Sequence, residues 1–139
     1  FIIFLFISTS LLAADQWPIG KWNMLDDFTE SPEAIIQISA LKAGGFEGKI
    51  IEVFPAPDDD PVDVCKPCVG LDKNKPIIGL VVFKQLKFNA KKELVGRVLD
   101  PDSGKIYNCQ LRPLPNNRIE LHVIVNRLIS QDRYLSLAK

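Results

Sequence analysis

From residue 15 onward the chain alternates short β-branched or aromatic runs with turn-forming residues about every ten positions, and shows almost no helical periodicity. Such spacing predicts an all-β fold: a meander, a sandwich or a barrel. The first strand is expected near Gly20 to Met24, the next over Ala34 to Leu41, where Ala34, Ile36, Ile38 and Ala40 share one face. Gly44-Gly45 supplies the turn into a strand over Phe46 to Phe54. Five prolines then fall between Pro55 and Pro76 and cannot sit inside a hydrogen-bonded ladder, so residues 55–76 are read as one long loop.

Ile77 to Phe88 is apolar on both faces at its start, which suits a strand buried on each side or one bent at Gly79. Glu93 to Leu99 leads into Asp100-Pro101-Asp102-Ser103-Gly104, where Pro presets the turn and Gly104 takes the left-handed closing position. Lys105 to Leu111 places Tyr107, Cys109 and Leu111 on one face; beyond Asn116-Asn117, Ile119, Leu121, Val123 and Val125 alternate against Glu120, His122 and Ile124. Asn126 to Asp132 has slight helix potential, and Tyr134 to Ala138 is the last expected strand. About eight strands with short sequential connections suit a single antiparallel up-and-down barrel, whose closure removes every sheet edge.

Phe1 to Ala14 carries no charge, is strongly apolar at its start and ends in small residues, as a signal-peptide h-region does. It is too short for the roughly 20 apolar residues of a membrane span. The basic n-region is missing, so the sequence reads as truncated at its start, with residues 15–139 as the exported domain, periplasmic or secreted. Lysine and arginine together number 17, as do aspartate and glutamate, which supplies no field for nucleic acid. Three cysteines in an exported chain leave room for one disulfide, with Cys65, Cys68 and Cys109 as the candidates.

Gly20-Lys21-Trp22, Phe46-Glu47-Gly48-Lys49-Ile50, Pro76-Ile77-Ile78-Gly79-Leu80 and Asp100-Pro101-Asp102-Ser103-Gly104-Lys105-Ile106-Tyr107-Asn108-Cys109, in this order, resemble the bacterial exported proteins grouped as domain-of-unknown-function family 2147. The resemblance covers nearly all of the chain after Ala14 and implies a lipocalin-like or calycin-like barrel, with no established reaction or cofactor. The C-terminal part departs from it: His122-Val123-Ile124 stands where the family has Arg-Gly-Tyr, and only Arg133 remains of a closing Gly-Arg-x-x-x-Trp-x-Arg. Trp22 is similar to the Gly-x-Trp tryptophan of lipocalin first strands, which an arginine of the last strand covers; that resemblance implies a structural Trp22–Arg133 stack.

Cys65-Lys66-Pro67-Cys68 has the spacing of a thiol oxidoreductase motif but lacks the helix that would activate it, so a structural disulfide is expected, within the pair or to Cys109. A zinc site from Cys65, Cys68, Cys109 and the sole histidine, His122, lacks the paired spacing of zinc modules, and Asp58, Asp59, Asp60 and Asp63 lack a calcium-loop pattern. No catalytic constellation assembles, so no enzyme, metal or cofactor is expected. The leading expectation is a carrier of a small apolar or amphipathic ligand, gated by residues 55–76, with Tyr107 and either Arg97 or His122 as polar contacts, although His122, opposite the apolar face of its strand, also reads as an outward or partner-bonded residue. Two alternatives stand beside it: an interaction protein whose barrel is filled by its own side chains, and a thiol-redox or metal-binding protein.

Overall fold

In a computed structural model, which describes residues 3, 17–60 and 62–139, the alternating runs become eight antiparallel strands. They are β1 (Gly20–Leu25), β2 (Pro32–Ala40), β3 (Phe46–Val53), β4 (Val81–Phe88), β5 (Leu94–Leu99), β6 (Ile106–Leu114), β7 (Arg118–Ile124) and β8 (Ser130–Leu137). Each pairs with its sequence neighbour, and β8 returns to β1 through Trp22↔Leu137, Asn23↔Ser136 and Met24↔Leu135, which closes the barrel. The expected signal segment and its cleavage point near Ala14 lie outside the described residues, Ile3 apart.

Up-and-down connectivity sorts the loops onto two ends. The β1–β2 turn, residues 54–60 and 62–80, the Asp100–Gly104 turn and the β7–β8 turn share one end, called here the lid end; the other carries residues 17–19, the end of β8 and the remaining three hairpins. At that second end the Trp22 indole donates to the Pro18 carbonyl at 3.0 Å and meets Trp17 edge-on at 6.2 Å.

The barrel interior follows from period-two alternation. Ile36 and Ile38 of β2, Cys109 and Leu111 of β6, Ile119, Leu121 and Val123 of β7, and Leu135 of β8 are all buried. Phe83 fills the space opposite Gly48: a Cβ on that glycine would lie 2.6 Å from the Phe83 ring and 3.0 Å from the Ile36 side chain. The small residue is therefore the seat of an aromatic ring rather than an opening. Phe54 lies exposed beyond the end of β3.

Two boundaries differ from expectation. β4 begins at Val81, because Gly79 turns the chain with φ +95° and Ile77 to Leu80 belongs to the preceding loop. Asn126 to Asp132 contains no helix: the Asn126 side chain accepts the Leu128 and Ile129 amides at 2.8 and 2.9 Å, a tight turn results, and β8 starts at Ser130. Ser130, Gln131 and Asp132 are polar, and their strand character comes from pairing with Ile124, Val123 and His122.

Replacing Phe83 by alanine removes a fully buried ring and leaves Gly48, which has no side chain, opposite the gap. We expect Phe83→Ala to lower the unfolding free energy by about 3–5 kcal/mol, read as a lower urea midpoint at unchanged slope.

Candidate functional site

The three residues expected to anchor an internal ligand do not converge. Tyr107 pairs with Val98 near the lid end and packs half-buried against the core, so it faces inward. Arg97 and His122 stand on the outer wall, a correction that strand parity explains. Arg97 lies opposite Asn108, between the inward Tyr107 and Cys109, and its Nη2 donates to Gln85 Oε1 at 3.1 Å. His122 alternates with the buried Leu121 and Val123, and its Nδ1 lies 2.6 Å from Asp132 Oδ1.

Arg133 is likewise not brought to Trp22. The register sets Trp22 against Leu137, four residues along β8, or about 13 Å at strand rise. Arg133 instead reaches the β1–β2 turn, where Nη2 donates to the Leu25 carbonyl at 3.0 Å and to Glu33 Oε2 at 2.9 Å, and Nε lies 3.2 Å from Asp27 Oδ1. Burial alone would pull this guanidinium down; the Glu33 hydrogen bond and the charges of Glu33, Asp27 and Asp26 outweigh it and hold the group above its ordinary value. Arg133 pairs with the inward Leu121 and so lies on the inner side of β8, whereas Tyr134 faces outward with Arg118 over its ring, 5.7 Å from the centre.

Residues 54–60 and 62–80 form a folded lid. Cys65 and Cys68 are joined in a buried disulfide, and Cys109 is a free, buried thiol. The lid's backbone is paired internally: Cys65 N–H donates to Lys75 O, Asn74 N–H to Cys65 O and Ile77 N–H to Asp63 O, each at 2.9 Å. Its tip, a short 3-10 turn over Gly70–Asp72, is tied to the barrel by an ion pair of 2.9 Å between Asp72 and Lys84 on β4. Val82, on the same outer side of β4 as Lys84, is buried as well, which accounts for the run of apolar residues on both faces at the start of this strand. On the neighbouring turn Gly104 has φ +73°, and any Cβ there would overlap the Pro67 carbonyl; this glycine gives the lid its seat. Sequence reasoning found the loop and its staple but not the Asp72–Lys84 tie, whose one signal is a lysine beside Val82 and Phe83.

The paired cysteines and the outward His122 cannot join Cys109 around one zinc ion. Among the described residues no set of three histidine, cysteine, aspartate or glutamate side chains is arranged to hold a metal ion, and no helix is long and apolar enough to cross a membrane.

Two clefts of the described surface lie on the outer wall, and neither enters the barrel. One is bordered by Glu93, Gln110, Arg112, Glu120 and His122. The other, about 180 Å³, lies between the β1–β2 turn and strands β7 and β8, over Tyr134.

A family of proteins described as uncharacterized and conserved in bacteria, DUF2147, matches residues 20–134, from the first residue of β1 into β8. The chain belongs to this family. No curated protein matches it in sequence. Among solved structures it is similar to HP1028 of the human pathogen Helicobacter pylori, described as a member of the lipocalin family, with a TM-score of 0.69 and 14% identity over 87% of this chain and 82% of the other. That likeness shows the fold of this DUF2147 member, a lipocalin-like barrel.

Lys84 hydrogen-bonds Asp72 and holds its carboxyl below the ordinary aspartate value of 3.8, against the opposing effect of burial. The folded-state pKa is depressed, so this stabilisation is complete above the unfolded value and disappears as pH falls through the folded one. We expect the parent to be more stable than Asp72→Asn near pH 7 and the gap to close below about pH 4, measured by urea unfolding at each pH.

Burial pushes the Cys109 thiol up to about 12. In the native state no thiol should react with a disulfide reagent at pH 8, and one should react once the chain is unfolded without reductant.

Proposed function

We propose that this protein is an exported, non-enzymatic interaction module of the bacterial envelope or its surroundings, which engages partners through its outer surface while its own side chains fill the barrel. The observation that carries this reading is Phe83 seated against Gly48 in an interior of buried apolar side chains. A carrier needs a concave apolar site that takes up most of a ligand's surface; here the candidate polar anchors Arg97 and His122 face outward. The apolar Phe1 to Ala14 run supports export, and intact-mass measurement of the exported form, expected to begin near Asp15, tests it.

A second reading has one specific observation in its favour. Tyr107 faces inward near the lid end, so a small apolar or amphipathic molecule entering beneath a raised lid would meet a hydroxyl among apolar walls. The two readings separate in one experiment. A ligand that binds only the folded state raises the melting temperature with concentration. A panel of fatty acids and aromatic small molecules should leave the melting temperature of the parent unchanged, and native mass spectrometry should show the bare chain. A concentration-dependent rise that Tyr107→Phe reduces would replace the interaction module with the carrier.

A further inference from the structure

The lid end exposes large apolar side chains on turns that closure makes neighbours. Phe28, in the β1–β2 turn, and Leu128, in the β7–β8 turn, are each 95% exposed, and Ile129 beside Leu128 is exposed as well. These positions are held outward by local hydrogen bonds. Asp26 Oδ1 accepts the amides of Phe28 and Thr29 at 2.9 and 2.8 Å, and Asn126 Oδ1 does the same for Leu128 and Ile129 at 2.8 and 2.9 Å. Arg133 and Gln131 of β8 reach across to Asp27, at 3.2 and 3.4 Å, and tie the β1–β2 turn to the strand that leaves the β7–β8 turn. Fully solvated apolar tips on ordered turns gain area by burial against a partner without a large ordering cost.

The charge beside these tips has one sign in excess. The cleft of about 180 Å³ is bordered by Asp26, Asp27, Glu30 and Asp132, with Tyr134 on the wall and Arg118 as its one basic residue. Arg118 lies 3.7 Å from Glu30 and over the Tyr134 ring, so four carboxylates of the cleft stand against one guanidinium, while Arg133 and Glu33 pair with each other beside it at 2.9 Å. His122 lies against Asp132 at 2.6 Å, and Arg112 is taken up by Glu120 at 2.8 Å. Such a surface attracts cations and repels an anionic lipid headgroup.

We propose that the β1–β2 and β7–β8 turns form a docking surface for a cationic amphipathic peptide segment, whose apolar side chains cover Phe28, Leu128 and Ile129 while a lysine or arginine meets the cleft carboxylates Asp26, Asp27 and Asp132, away from Arg118 on Tyr134. The proposal rests on the exterior-binding reading above and names its partner class. Aromatic and aliphatic side chains supply the buried area, and the carboxylates set charge selectivity and approach rate.

The test uses fluorescence anisotropy of the exported protein with two labelled probes of identical apolar pattern, a Leu/Lys peptide and its Leu/Glu counterpart. The Leu/Lys peptide should bind, more weakly at higher salt, and the Leu/Glu peptide at least tenfold less tightly. Phe28→Ser combined with Leu128→Ser should weaken binding at least tenfold at unchanged melting temperature, since both side chains are solvated in the free protein. Glu30→Gln with Asp132→Asn should weaken it and flatten its salt dependence. Equal binding of both peptides, no binding of either, or indifference to both double variants overturns the proposal. Binding of phosphatidylglycerol vesicles through Phe28 and Leu128, with no preference for the Leu/Lys peptide, overturns it in favour of a lipid surface. Failure of the exterior-binding reading looks different: the small-molecule panel then raises the melting temperature, and the tip variants leave that rise untouched.

Discussion

Barrel closure hangs on the seam between β1 and β8, where three register pairs join residues more than a hundred positions apart in the chain. Every other strand pairs with its neighbour in sequence, so the seam is the one ladder with a large loop-closure cost. Without it Trp22 and Leu135 would lose their shared wall and two edges would be open to other chains. It also decides which turns stand together: β1 and β8 meet, so the turn bearing Phe28 lies beside the one bearing Leu128, and Arg133 finds Asp27 and Glu33.

The interior and the lid depend on one another through glycine and aromatic packing. Phe83 occupies the room left by Gly48 on the inside of β4, while on the outside of the same strand Lys84 holds the lid through Asp72. β4 is thus covered on two sides although it belongs to a closed cylinder with no central strand. The same arrangement explains why a sequence stretch that reads as doubly buried need not lie in the middle of a sheet.

Most of the barrel was legible because its signals are local. The Asp100–Gly104 turn has a proline to preset φ, Asp100 accepting the Asp102 amide and the Ser103 hydroxyl, and a glycine in the left-handed region. The inward faces of β6 and β7 followed from alternation alone, and the same parity, carried across the β5–β6 register, would have placed Arg97 outside. The beginning of β8 was hidden because Ser130-Gln131-Asp132 has no apolar period and becomes strand through its pairing with β7. The Arg133 cluster was hidden for a related reason: its carboxylates come from another part of the chain, and only the seam register says which end of the barrel the arginine reaches. Family likeness pointed toward Trp22, and the distance along β8 rules that contact out.

The solitary Cys109 has a consequence for how the oxidised chain keeps its pairing. Exchange between a thiol and a disulfide begins with attack by the ionised sulfur, and burial, which pushes the Cys109 thiol up to about 12, keeps it protonated at neutral pH. The Cys65–Cys68 sulfurs are themselves closed off by the seated lid. Once the barrel has formed, the wrong partner is present but chemically silent, and shuffling is confined to the time before folding. A third cysteine is then compatible with a lasting disulfide, because the packed core acts as a protecting group for the one left over.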